Sequence, residues 1–134
     1  KEQLKLNNDI NYKGFLNRSQ VNQALSNSIY ISLDINPACP NTVIEALSTG
    51  SPVVAFDTGA ISELIDDCCG AVVKYGSNPW ELAYPDVKSL AKAIVNVEKN
   101  YETLARNAKK SAVENYNIED VVLKYTDVIN KMLK

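Results

Sequence analysis

A helical pattern that runs directly into an apolar strand, within residues 40–56, constrains the fold of this chain more than any other segment. Pro40 precedes the helical pattern, Gly50 ends it, and the apolar run PVVAF (52–56) follows at once. Pro at the start of a helix and Gly just after its end are common boundary residues. The β-branched run IYISL (29–33) comes before the helix. Strand, helix and strand in this order predict a parallel βαβ unit with a right-handed crossover.

The alternation of strands and helices continues on both sides of this unit. The run YKGFL (12–16) predicts another strand followed by a helix, and AVVKY (71–75) predicts a fourth strand after a short helix that ends near Gly70. This order is typical of a doubly wound, Rossmann-like parallel sheet of the α/β class, with residues 1–134 as a single domain. Four strands are few for such a sheet, and the chain opens on the helix-like KEQLKLNN (1–8), so we expect that the first strands of the domain are missing.

Residues 86–134 carry helical patterns alone and predict a C-terminal helical layer of the same domain. Asp86 and Asn117 directly precede two of these patterns, where their side chains can act as N-caps. The connecting segment GSNPWELAYPD has the Gly and Pro content of a loop. We expect Trp80 and Tyr84 to pin this loop to the surface of the domain.

The charge and the rare residue types exclude several classes of function. Fourteen Lys and Arg oppose sixteen Asp and Glu without a basic stripe, so we expect no nucleic-acid partner. The chain has no histidine, and its three cysteines lack C-x-x-C spacing, so we expect no metal site and no histidine-dependent catalysis. No signal peptide or run of about 18 apolar residues is present, so membrane association is not indicated and we expect a cytoplasmic location.

Glu45 is the one carboxylate in the helical pattern after Pro40. On a helical wheel it lies away from the four apolar positions of that helix, Val43, Ile44, Ala46 and Leu47. Ligands of parallel α/β sheets bind at the carboxyl ends of strands, where the loop DINPACP (34–40) leads into this helix. The free N–H groups at the helix start suit a phosphate, and Glu45 can accept hydrogen bonds from sugar hydroxyls. The alternative is a solvated carboxylate that only stabilises the helix macrodipole.

The segment PNTVIEALSTGSPVVAFDTGAISELI (40–65) closely resembles the donor-binding segment of retaining, metal-independent GT-B glycosyltransferases, the glycogen synthase-like or group 1 class. The family form is small-Pro-Asn-x-Val-hydrophobic-Glu-Ala-hydrophobic-x-x-Gly-x-Pro-Val-Val-Ala, followed by a Gly-Gly-x-x-Glu turn. The flanking segments are also similar, so the resemblance covers essentially the whole chain. It implies the C-terminal, nucleotide-sugar-binding domain of such an enzyme.

The resemblance assigns roles to three residues of the helix. The family glutamate equivalent to Glu45 binds the ribose hydroxyls of the nucleotide sugar, and the backbone N–H groups of Asn41 and Thr42 are expected to hold the diphosphate. The donor is then a UDP- or GDP-linked sugar that acts as a substrate, without a cofactor. The family's acceptor domain, the expected partner within the same polypeptide, and its upstream basic residues are both absent from the 134 residues.

The chain departs from the family pattern eight positions before the helix glutamate. An acidic residue usually engages the donor sugar there, whereas this chain has Pro37 with Asn36 beside it. Asp34 occupies the position of a frequent family serine and is an alternative contact to the sugar. The possible donor-sugar contacts are therefore Asp34, Asn36, Ala38 and Cys39, and no catalytic residue is assigned.

Three further residues near the motif, Gly59, Glu63 and Cys39, have two interpretations each. Gly59 would let the chain approach a ligand closely, but a structural role is favoured for it and for Ala60, which replaces the second family glycine. Glu63 is interpreted as a helix-start carboxylate rather than a ligand. Cys39 precedes a helix N-terminus, which can make a thiol reactive, but a small buried filler is the favoured interpretation.

The sequence thus predicts a domain that binds a nucleotide-sugar donor for retaining transfer of a glycosyl group to an acceptor hydroxyl. Polysaccharide, lipopolysaccharide or glycoconjugate biosynthesis is the expected context, and the fragment alone is expected to be inactive. Two alternatives remain open, because function depends on the site rather than the fold. One is a non-catalytic binding or scaffold domain derived from such an enzyme, which would account for Pro37, and the other is a GT-B-fold sugar-nucleotide epimerase.

Overall fold

Strands and helices alternate in the first half of the domain, and helices alone make up the second half. The structure is a computed structural model that describes residues 9–133. Its elements in chain order are α1 (Arg18–Leu25), β1 (Tyr30–Ser32), α2 (Asn41–Thr49), β2 (Val53–Phe56), α3 (Ile61–Leu64), β3 (Gly70–Val73), a 3-10 turn (Pro79–Glu81), α4 (Val87–Lys99), α5 (Tyr101–Tyr116) and α6 (Ile118–Met132). The α/β class that the sequence predicts is confirmed.

The three strands form one parallel sheet in the order β1-β2-β3. Tyr30 of β1 lies beside Val53 of β2, which lies beside Gly70 of β3. All four residues of β2 are buried, as expected for a central parallel strand that is covered on both faces. The predicted βαβ unit of residues 29–56 is therefore present.

Two apolar clusters lie on opposite faces of β2. Val53 and Ala55 belong to the cluster that includes residues of α2 and α5, whereas Val54 and Phe56 belong to the cluster that includes residues of α4. Successive side chains of a strand point to opposite faces, so the strand period decides which helix each residue meets. A doubly wound topology stays a prediction, because the three described strands follow one another in sequence order.

The helix boundaries follow the local signals that the sequence offers. Gly50 ends α2 in the left-handed conformation, with φ of +79°. The Asp86 carboxylate caps α4 by accepting hydrogen bonds from the Ser89 N–H group at 3.0 Å and from the Ser89 hydroxyl group at 2.6 Å. These bonds hold the pKa of Asp86 below its ordinary value. The Asn117 side chain accepts a hydrogen bond from the Glu119 N–H group at 3.2 Å, so both predicted N-caps are confirmed.

The predicted strand at residues 12–16 is wrong. This segment has no strand or helix, Gly14 has φ of +67°, and the Phe15 side chain is fully exposed. A strand needs a neighbour to pair with, and no described strand lies beside this segment. The helix that follows starts at Arg18 with a capping box between Asn17 and Gln20. The helix-like segment 1–8 lies outside the described residues.

Two further expectations need correction. Trp80 and Tyr84 are 80% and 84% exposed, so they do not pin the loop before α4. The helix α3 ends at Leu64 and not near Gly70, which instead begins β3. A side chain at Gly70 would put its Cβ atom 2.1 Å from the Val53 carbonyl oxygen, so the close approach of two strands requires the glycine.

In the predicted helical layer, α5 packs on α2, whereas α6 buries none of its residues.

Candidate functional site

Glu45 projects from the side of α2 that faces away from the core. Three apolar residues of α2 are completely buried, namely Val43, Ala46 and Leu47, while Glu45 is half-buried and Asn41 and Ser48 are exposed. The orientation that the helical wheel predicts is therefore confirmed. Among residues 9–133, no side chain contributes a hydrogen bond or an ion pair to the Glu45 carboxylate. The carboxylate remains available to an external donor.

The first turn of α2 also offers unused hydrogen-bond donors. The helix begins after Pro40, without a side-chain cap. Val43 donates its N–H group to the Pro40 carbonyl oxygen at 3.0 Å, whereas the N–H groups of Asn41 and Thr42 have no acceptor within the described part of the chain. Both residues are exposed. Free N–H groups at a helix start carry partial positive charge and bind anions.

The loop between β1 and α2, residues 33–40, holds the other predicted site residues. Asp34, Ala38 and Cys39 are exposed, and Asn36 and Pro37 are half-buried. The exposure of Cys39 overturns its interpretation as a small buried filler. This loop follows the carboxyl end of β1 and leads directly to the free N–H groups of α2, so the structure brings the predicted residues to one edge of the sheet.

The turn after β2 holds this loop by its backbone. The Ala60 N–H group donates a hydrogen bond to the Pro37 carbonyl oxygen at 2.8 Å, and the Thr58 hydroxyl group donates one to the Asp34 carbonyl oxygen at 3.4 Å. Gly59 has φ of +55°, and a Cβ atom built on it would lie 2.3 Å from the Pro37 oxygen. The close approach at Gly59 is thus to the Pro37 backbone. Sequence reasoning missed Thr58, because its contact joins residues 24 positions apart.

The neighbouring carboxylate and thiols differ from Glu45 in their surroundings. Glu63 lies in the first turn of the short helix α3 and is exposed, which fits its interpretation as a helix-start carboxylate. Cys68 is exposed and Cys69 is buried, and both thiols are free. Burial raises the pKa of the Cys69 thiol to about 11. Cys69 therefore stays protonated at neutral pH and belongs to the core.

Surface cavities also occur away from this edge of the sheet. One of about 210 Å³ is lined by residues that include Asp66, Cys68 and Lys110, and one of about 350 Å³ is lined by Ser48 and three residues at the end of α5 and the start of α6. None of the predicted site residues lines either cavity. No helix within residues 9–133 has the length and apolarity needed to cross a membrane, and no three His, Cys, Asp or Glu residues of that range cluster as a metal site would require.

Comparison with known proteins identifies the family. The family model described as glycosyl transferases group 1 matches residues 1–115, which include the sheet, the loop 33–40 and all of α2. The match ends just before α6. No curated protein matches the chain. Because the family model covers most of the sequence, the chain belongs to the group 1 glycosyl transferase family.

Proposed function

We propose that this domain binds the nucleotide-sugar donor of a retaining GT-B glycosyltransferase through the start of α2. The observation that carries the proposal lies on one short helix: within residues 9–133 the Glu45 carboxylate has no protein partner, and the N–H groups of Asn41 and Thr42 have no acceptor. The donor would be a UDP- or GDP-linked sugar, and the acceptor a hydroxyl group. The family resemblance and the geometry of α2 support the same arrangement.

Glu45 would accept hydrogen bonds from the ribose hydroxyl groups. The alternative, a carboxylate that stabilises the helix macrodipole, has little support because α2 has no acidic residue in its first turn. The macrodipole effect is about 0.3–1 kcal/mol and fades beyond that turn. Hydrogen bonds to a charged group contribute about 1.5–3 kcal/mol. A substitution of Glu45 should therefore change ligand affinity more than it changes the free energy of unfolding.

The diphosphate would lie at the N-terminus of α2. Glu45 is three residues further along the helix than Thr42, or about 4.5 Å along the axis. This spacing separates the carboxylate from the phosphate groups, which it would repel, while leaving it within reach of the adjoining ribose. As the donor bond breaks, negative charge grows on the leaving diphosphate. Fixed N–H groups then stabilise the charge without reorganisation.

The donor sugar would face the loop 33–40. Asp34 is the acidic side chain of this loop and is exposed, so it can accept hydrogen bonds from sugar hydroxyl groups. Asn36, Ala38 and Cys39 provide the remaining candidate contacts. Pro37 has no polar side chain, and its carbonyl oxygen already accepts the Ala60 N–H group. We therefore propose that sugar recognition relies on Asp34 rather than on the position that the family usually fills with an acid.

We expect the 134 residues on their own to transfer no sugar. Transfer requires an acceptor held within about 3–3.5 Å of the reacting carbon, and in this family the opposite domain provides that position. A donor that is bound to this domain alone is also partly in water, where electrostatic stabilisation is weak. Incubation of the chain with labelled UDP- and GDP-sugars and several acceptors checks this. Transfer that Glu45→Ala abolishes would contradict it.

The proposal is tested by titrating the chain with UDP and with GDP in a calorimeter. We expect one of them to bind, and Glu45→Ala to weaken that binding by about 1–3 kcal/mol while the fold stays intact. Glu45→Gln should lose less, because the amide keeps one acceptor oxygen. The matched control is Glu63→Ala, which removes an exposed carboxylate from the neighbouring helix and should leave the affinity unchanged.

Two results would count against the proposal. Binding that is equal in the wild type and Glu45→Ala would remove the ribose role of Glu45. If neither UDP nor GDP binds, the result would favour the alternative of a scaffold domain that has kept the fold of the enzyme and lost its ligand.

A further inference from the structure

The loop 33–40 makes its described tertiary hydrogen bonds with one turn, residues 57–60. Thr58 and Ala60 each donate a hydrogen bond to a carbonyl oxygen of the loop, at Asp34 and Pro37. The loop itself lies outside any helix or strand, and three of its residues proposed to face the donor sugar are exposed, namely Asp34, Ala38 and Cys39. All of the described tertiary hydrogen bonds between this loop and the rest of the fold therefore come from this turn.

The turn 57–60 is well suited to act as a support. It continues directly from β2, whose four residues are all buried at the centre of the sheet. Thr58 is only 4% exposed, and its hydroxyl group has the Asp34 carbonyl oxygen as its acceptor, at 3.4 Å. Gly59 lies against the backbone of Asn36 and Pro37, closer than any residue with a side chain would allow.

We propose that Thr58 and Gly59 are positioning residues, which hold the loop 33–40 in the conformation that contacts the donor. They act on the ligand through the loop backbone and not by direct contact. This inference rests on the function proposed above for the start of α2. It predicts that affinity for the nucleotide sugar depends on two residues that do not themselves contact the donor.

Two substitutions, Thr58→Val and Gly59→Ala, change the turn without changing any residue that is proposed to contact the donor. Thr58→Val removes the hydroxyl group and keeps the branched shape, whereas Thr58→Ser keeps the hydroxyl group and should restore the wild-type behaviour. Gly59→Ala places a Cβ atom against the Pro37 oxygen and forces the loop to move. The matched control is Gly76→Ala, because Gly76 has φ of +86° and its Cβ atom would meet Asp86 at 2.9 Å, after β3 rather than after β2.

The experiment measures amide hydrogen exchange in the loop and affinity for UDP- and GDP-linked sugars, which carry the sugar that the loop is proposed to contact, on the same 134-residue samples. For Thr58→Val we expect exchange of the loop amides to rise by roughly three- to tenfold without ligand, and affinity to fall by a similar factor, since both report the loss of one hydrogen bond. Gly59→Ala should give larger changes in both. Thr58→Ser and Gly76→Ala should leave the loop exchange and the affinity near the wild-type values.

Four other results would contradict the positioning role of the turn. Unchanged loop exchange in Thr58→Val and Gly59→Ala would show that the turn does not hold the loop. Faster exchange with unchanged affinity, in a chain whose binding depends on Glu45, would contradict the positioning role and leave the proposed function intact. Equal effects from Gly76→Ala would show that backbone strain elsewhere in the fold also loosens the loop, and would contradict a specific role of the turn 57–60. If the wild type binds neither nucleotide sugar, the proposed function fails and this inference fails with it.

Discussion

The Tyr75 hydroxyl group donates a hydrogen bond to the carbonyl oxygen of Ala83 at 2.8 Å. The Tyr75 ring is buried and packs edge-on against Phe56, with ring centroids 5.3 Å apart. This single side chain therefore connects the core beside β2 with the loop that leads from β3 to α4. Trp80 and Tyr84, the aromatic residues of that loop, lie in solvent instead.

Tyr75→Phe should lower the free energy of unfolding by about 1 kcal/mol. The substitution keeps the ring packing and removes one hydrogen bond, whose net contribution is about 0.5–1.5 kcal/mol. Chemical denaturation of the two proteins measures the difference. Tyr84→Phe is the control, because that side chain is 84% exposed, and it should have no effect. Equal stability of Tyr75→Phe and the wild type would mean that the loop does not depend on this bond.

Ser32→Ala should leave the stability unchanged or raise it by about 1 kcal/mol. The Ser32 hydroxyl group is buried, and it has no hydrogen-bond partner in the described part of the chain. An unsatisfied buried hydroxyl group costs about 1–3 kcal/mol. Ser51→Ala is the matched opposite, because the buried Ser51 hydroxyl group donates to the Leu25 carbonyl oxygen. It should destabilise by about 0.5–1.5 kcal/mol, the net contribution of one hydrogen bond. A large loss in Ser32→Ala would reveal a partner for that hydroxyl group.

The stability of the domain should fall between about pH 9 and pH 11. The Cys69 thiol has an ordinary pKa of 9.0, and burial raises its pKa to about 11 in the folded state. In this window the unfolded chain loses the thiol proton while the folded chain keeps it, so rising pH favours unfolding. Denaturation curves across the window should fall more steeply for the wild type than for Cys69→Ala. Parallel curves would show that the thiol does not titrate with folding.

Features set by neighbouring residues could be predicted from the sequence. Gly50 ends α2 and Asp86 caps α4, and both effects depend only on residues at that end of the helix. The outward direction of Glu45 follows from the helical period alone. These signals need only a few adjacent residues, and they were sufficient to predict the α/β class and the helix that carries the candidate site.

Features that depend on distant partners could not be predicted in this way. The run 12–16 has the composition of a strand but no described neighbour to pair with, so its apolar residues do not form one. Trp80 is exposed, whereas Tyr75, which lies outside this loop, bonds to it at Ala83. The bond between Thr58 and Asp34 likewise joins two loops that only the parallel sheet brings together.

The most direct test of the account is a thermodynamic cycle on the ribose contact. Wild type and Glu45→Ala are each titrated with the nucleoside diphosphate that binds and with its 2′,3′-dideoxy form. If the carboxylate accepts the ribose hydroxyl groups, removal of those hydroxyls should weaken binding to the wild type by about 1–3 kcal/mol and have little effect on Glu45→Ala. Independent contributions would instead add to within about 0.3–0.5 kcal/mol. Additive losses would contradict the central claim that Glu45 binds the ribose of the donor.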